Sequence, residues 1–120
     1  MLLQNSRGQR NMSLDMSSFG RAIASARKQR AMSQKELAAK IVKEDGEAIT
    51  PQYLNDIEHD RRSPSSDHLV SEFAKVLKID PLALYGLIGM LPEQDRKLIR
   101  KSTPDQVNQA FVAFRRHLKG

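Results

Sequence analysis

Ser33-Gln34-Lys35-Glu36-Leu37-Ala38, then Ile49-Thr50-Pro51-Gln52-Tyr53-Leu54-Asn55-Asp56-Ile57-Glu58 and Arg61-Arg62-Ser63-Pro64, is the stretch that decides the fold. It predicts two short capped helices. Ser33 and Glu36 form a capping box, in which the serine hydroxyl accepts from the Glu36 amide and the Glu36 carboxylate reaches back to the Ser33 amide. Leu37, Ala38 and Ile41 form the buried stripe of the first helix, and the small Ala38 lets a neighbour cross closely. Thr50 is a good N-cap, and Pro51 stands at the first helical position, where its missing amide costs nothing. Leu54 and Ile57 are the only strong apolar anchors of the second helix. Gln52, Tyr53, Asn55 and Asp56 are left on its outer face. A helix that only filled a core would not leave them there. A helix that enters a major groove needs such side chains, since Gln and Asn can pair with adenine N6 and N7 or read other base edges.

The flanks extend this pattern in both directions. Phe19, Ala22, Ile23 and Ala26 recur at helical spacing ahead of it. Behind it, Ser65 caps a fourth helix with Leu69, Phe73, Val76 and Leu77 on one face. Asp80-Pro81 caps a fifth, which runs through Leu84, Leu87 and Ile88 and ends at Gly89. Pro92 starts a sixth helix with Leu98 and Ile99 inside. Thr103-Pro104-Asp105-Gln106 caps a last one with Val107, Ala110, Phe111, Phe114 and Leu118 in a stripe. No strand pattern competes, so the expected class is all-α. Three segments are expected: a flexible arm over residues 1–18, a five-helix domain over 19–90, and a C-terminal helical segment of one or two helices over 91–120. The arm is rich in Ser, Asn, Gln and Arg. Its alternative reading has Arg7 and Arg10 reaching into a minor groove.

Over about residues 19–88 the chain resembles the lambda-repressor/Cro-type helix-turn-helix family, also called the Xre family. The resemblance implies a five-helix DNA-binding domain and particular roles. It implies base contacts from Gln52, Tyr53, Asn55 and Asp56, and phosphate contacts from Ser33, Gln34, Lys35, Thr50, Arg61, Arg62 and Ser63. Gln34 would also buttress the reading helix. Glu58 would form a mostly buried salt bridge with Arg27, tying the first helix to the third. The sequence departs from the family in one place. Ala38 to Ile49 spans eleven positions, about six more than the family pattern holds between its two helices. Either the first of the two helices runs a turn longer or the connection is a loop. The acids Glu44, Asp45 and Glu47 should keep it away from phosphate. Pro51 is a second departure, since it cannot donate to a base.

Composition bounds the function. The 120 residues carry 20 Lys and Arg against 14 Asp and Glu and no cysteine, for a net charge of +6. Disulfides and cysteine-ligated zinc are excluded. Aromatic residues are 5% and Trp is absent, which argues against a stacking platform for single strands. The basic balance favours an anionic partner, yet it is unevenly placed. Residues 91–120 hold seven basic and three acidic residues, whereas residues 19–65 hold nine and seven. The ordered motif therefore carries the DNA reading better than the net charge does. No segment approaches the ~20 apolar residues of a membrane span, and Met1-Leu2-Leu3 is too short for a secretory signal. A cytoplasmic protein, nucleoid-associated when bound to DNA, is expected.

His59, His68 and His117 lack ligand spacing, and no nucleophile–base order or phosphate loop stands out, so neither a metal, a cofactor nor an enzyme is expected. The expected function is a sequence-specific regulator of double-stranded DNA, a repressor acting as a homodimer. Val107, Phe111, Phe114 and Leu118 are the expected pairing surface; the alternative is that this helix folds back on its own domain. The competing class is a protein-interaction module of the same fold, such as an antitoxin or anti-repressor, with an unknown protein partner. Gln52, Asn55, Arg61 and Arg62 would then be ordinary solvated surface.

Overall fold

The computed structural model describes residues 14–120, and the first part of the expected arm, with Arg7 and Arg10, lies outside them. Seven helices follow one another among the described residues: α1 Phe19–Gln29, α2 Gln34–Lys40, α3 Pro51–Glu58, α4 Asp67–Leu77, α5 Pro81–Ile88, α6 Glu93–Arg100 and α7 Pro104–Lys119. They fall into two compact units that divide between Met90 and Leu91.

The helix boundaries follow from local chemistry. Ser18, Ser33, Thr50 and Ser66 each accept an amide hydrogen from the first turn of the helix they precede. This satisfies one of the four donors that every helix start leaves open. The Ser33–Glu36 box is complete in both directions, and the Ser33 amide, the stronger influence, holds the Glu36 carboxyl below its ordinary value. Asp80 caps α5 ahead of Pro81, and Gly89 ends it at φ 69°. The cap of α4 is Ser66, not Ser65. Either serine has the right chemistry, and placement of Leu69 and Phe73 on the core selects the later one.

In the first unit α1 packs on α3, α4 and α5, α2 packs on α3, and α4 packs on α5. Ile23, Leu37, Leu54, Ile57, Phe73 and Leu84 are fully buried at its centre. Phe19 meets Phe73 edge to face at 5.9 Å, the geometry that aligns a ring edge with a ring face. Residues 14–18 belong to this unit rather than to a flexible arm. Leu14 packs against the core, and Ser17 donates its backbone amide to Asp15 Oδ1 at 3.0 Å.

Of the two expectations for the eleven-position connection, an extra helical turn or a loop, the structure has the loop, with a hairpin built into it. α2 stops at Lys40, and residues 41–49 fold as a small antiparallel hairpin. Ile49 N–H donates to the Ile41 carbonyl at 2.9 Å, and Lys43 N–H to the Glu47 carbonyl at 2.8 Å. Val42 faces Ala48 across one isolated bridge. The turn closes through Gly46 N–H on the Lys43 carbonyl, with Gly46 at φ 89°. A three-residue hairpin connection needs such a left-handed residue at its end, and Asp-Gly supplies it. The hairpin is clamped from α4: Glu72 Oε1 accepts from Val42 N–H at 3.1 Å, and His68 Nε2 lies 2.7 Å from the Val42 carbonyl.

The second unit is a pair of helices. Its last helix starts at a complete Thr103–Gln106 capping box. Neither α6 nor α7 contains a buried residue. Leu98, expected inside, is 62% exposed, because two short helices have no third layer with which to enclose it. Phe111 and Phe114 meet edge to face at 6.3 Å. With Leu98, Ile99, Val107 and Ala110 they line an open apolar cleft of about 300 Å³. Leu118, grouped with them from the sequence, does not line it and is 71% exposed. No helix of the described residues is long and apolar enough to cross a membrane.

Candidate nucleic-acid interface

The site is built on α3, and its placement begins with two carboxylates. Glu58 lies at the buried end of the helix and meets Arg27 of α1 at 2.7 Å, with side-chain exposures of 3% and 12%. Arg27 makes two parallel bonds, Nε to Oε2 and Nη2 to Oε1, and its Nη1 donates to the Met32 carbonyl at 2.9 Å in the turn before α2. A bidentate guanidinium–carboxylate pair fixes orientation as well as energy. Gln34, at the start of α2, donates its Nε2 to Glu58 Oε1 at 2.9 Å and to Asn55 Oδ1 at 3.1 Å. One network therefore locks α1, the start of α2 and the inner edge of α3.

Asp60 completes the support just past α3. It takes a left-handed backbone, φ 58°, and turns its carboxylate onto the start of α1. There Oδ2 accepts from the Ser18 hydroxyl at 2.6 Å and Oδ1 from Gly20 N–H at 2.9 Å. A negative charge is favoured at a helix N-terminus. Gly20 packs directly on the last turn of α3; a Cβ there would collide with the Ile57 carbonyl and lie 2.8 Å from that of Glu58. Sequence reading did not single out Asp60 or Gly20, because their contacts join segments about forty residues apart.

The outer face of α3 is polar. Gln52 and Asp56, one turn apart, are joined by a bond from Gln52 Nε2 to Asp56 Oδ1 at 3.1 Å. Arg61 Nε reaches the same oxygen at 3.2 Å. Gln52, Asp56 and Arg61 thus form one cluster, while Asn55 faces Gln34 on the α2 side. Tyr53 is half-buried and points elsewhere, with the Arg62 guanidinium 5.1 Å from its ring centroid, within cation–π range. Lys35, Thr50, Arg61, Arg62 and Ser63 are exposed. Ser33 and Thr50 each accept one amide hydrogen as helix caps.

Chemically, the face offers amide donors and acceptors on a rigid helix, with guanidinium groups beyond its end. That arrangement suits base edges and phosphates in a groove. Among the described residues no group of three or more His, Cys, Asp or Glu side chains is placed to hold a metal.

Comparison with known proteins agrees with this geometry. A family model described as helix-turn-helix matches residues 23–84, just over half of the chain. No curated protein and no solved structure matches. With the capped α2 and the polar-faced α3 inside the matched region, the chain belongs to the lambda-repressor/Xre-type helix-turn-helix family of DNA-binding regulators.

Proposed function

We propose that the protein is a sequence-specific regulator of double-stranded DNA that acts as a homodimeric repressor in the cytoplasm, associated with the nucleoid when bound. The observation that carries this reading is the outer face of α3. Gln52 and Asp56 stand there, with Asn55 at its α2 edge beside Gln34, on a helix held at its base by the Arg27–Glu58–Gln34 network. A buried ion pair is weak support for stability, but it fixes geometry, and base reading needs fixed geometry. Gln52 and Asn55 contact base edges. Tyr53 borders them. Lys35, Arg61, Arg62 and Ser63, with the Ser33, Gln34 and Thr50 side chains, hold phosphates on either side.

One such domain reads only a few base pairs. Pairing two of them sets half-sites about 34 Å apart, one helical turn. The C-terminal unit supports the pairing. Its two helices bury no residue, yet Leu98, Phe111 and Phe114 are apolar and exposed around one cleft. A second copy of the same unit would close the cleft into a four-helix arrangement with an apolar centre. Val107, Phe111, Phe114 and Leu118 from each copy then line the contact.

Sedimentation of the full chain, alone and with duplexes enriched from a random pool, tests this. The expected result is a dimer that binds an enriched, two-fold symmetric site as one unit. A monomer that enriches no sequence would contradict it.

A further inference from the structure

We infer that two carboxylates of α3 fix the hydrogen-bonding polarity of its two reading amides in opposite senses. Gln52 presents its carbonyl and seeks an amino-bearing base, whereas Asn55 presents its amino group and seeks a keto-bearing base. The inference rests on the reading of α3 as the base-contacting helix and deepens it.

The reasoning starts from what each group is able to do. Glu58, paired bidentately with Arg27, is an acceptor only. Gln34 therefore has to turn its amino group towards Glu58. Reversed, it would set its carbonyl oxygen against a carboxylate oxygen at 2.9 Å. The same amino group lies 3.1 Å from Asn55, so Asn55 has to answer with its carbonyl. Turned the other way, two amino groups would face each other. The polarity passes from Glu58 through Gln34 to Asn55, and it leaves Nδ2 of Asn55 directed away from the protein network. Assignment of an amide by its hydrogen-bonding surroundings is the ordinary basis for its orientation.

Asp56 does the same for Gln52 on the next face. Its Oδ1 accepts from both Gln52 Nε2 and Arg61 Nε. Gln52 therefore keeps its amino group on the Asp56 side and turns Oε1 away from it. Asp56 is then a positioning residue rather than a base contact. Its side chain is only 24% exposed and its shared oxygen is already used twice.

The major-groove code converts these polarities into base classes. Guanine shows two acceptors, O6 and N7, and thymine shows O4; cytosine shows an amino donor, and adenine an amino donor beside N7. The outward amino group of Asn55 fits guanine or thymine. Adenine fits it less well, because Gln34 already takes one lone pair of the Asn55 carbonyl that a paired contact with N6 would use. Gln52 Oε1, with its second amide hydrogen, fits adenine or the cytosine amino group.

The test uses the full chain and a duplex enriched from a random pool. The pairs read by Asn55 and Gln52 are those whose preference is lost in Asn55→Ala and Gln52→Ala. At the Asn55 pair, 7-deazaguanine or 4-thiothymine should weaken binding roughly fivefold or more, and removal of the exocyclic amino group should change it little. At the Gln52 pair removal of the exocyclic amino group should weaken binding by a similar factor. Asn55→Asp keeps an oxygen for Gln34 and turns an acceptor outward, so its preferred base pair should invert by about tenfold. Thermal melting reports whether it folds; if it does not, the analogue pattern with the wild-type chain decides alone. Sensitivity to the amino group at the Asn55 pair would overturn the polarity while leaving base reading by α3 in place. A pool with no enriched sequence would overturn both.

Discussion

Arg27 and Glu58 stand 31 residues apart in the chain and meet through two parallel hydrogen bonds in a nearly dry site. Each is the other's principal source of solvation. Removing one leaves a charge that water reaches poorly, so Glu58→Ala should lower stability by about 3–5 kcal/mol. Urea unfolding of the two proteins measures this. Replacing both residues with apolar ones of similar volume should restore much of the loss, because the lone buried charge is then gone.

Gly20 faces two backbone carbonyls as well as the Asp60 carboxylate. The Ile57 and Glu58 carbonyls cannot swing aside as a flexible side chain would. Gly20→Ala should therefore destabilise by about 1–3 kcal/mol, outweighing the gain of roughly 1 kcal/mol that alanine brings to a helix. A lower melting temperature is the expected readout, and a higher one would show that α1 can slide along α3.

Glu72 ties the hairpin to α4. Lys75 most strongly, and then the Val42 amide, hold its carboxyl below the ordinary value of 4.5, against the opposing effect of burial. A folded-state value below the unfolded one stabilises above about pH 4.5, and the benefit disappears as pH falls through the folded value. Protection of the Val42 amide, measured against its intrinsic exchange rate at each pH, should fall on acidification through that range. In Glu72→Gln, which keeps an acceptor but cannot titrate, the fall in protection should be much weaker.

Lys35 is exposed beside Gln34 at the start of α2. As a phosphate contact it carries charge but no sequence information. Lys35→Ala should weaken every duplex alike and reduce the salt slope by about 0.9. Gln52→Ala should instead narrow the gap between preferred and scrambled duplexes.

The helices were legible because their starts are written in adjacent residues. Ser33 with Glu36, Thr50 with Pro51, Asp80 with Pro81 and Thr103 with Gln106 each carry a complete local instruction. The hairpin was less legible. Its Asp45-Gly46 turn is a local signal, but Val42 finds its partners on His68 and Glu72, 26 and 30 residues away. The short run from Val42 to Ala48 has no alternating pattern to announce a strand. In the C-terminal unit, periodicity grouped Val107, Phe111 and Phe114, but Leu118 falls outside their cleft and Leu98, expected inside, is exposed. A helical stripe states which side seeks burial, not whether the same chain provides it. The interface residues were legible as a group, since a polar face on a capped helix is a sequence pattern. Their division was not. That Asn55 turns to Gln34 while Gln52 turns to Asp56 depends on which carboxylate lies within reach.

Fluorescence anisotropy of the full chain with its enriched duplex and with a scrambled duplex, each at two salt concentrations, tests base reading by α3 most directly. The expected result is tighter binding of the enriched duplex by about 10³-fold or more, with both affinities falling steeply with salt. Equal and weak affinity for the two duplexes at both salt concentrations would contradict it.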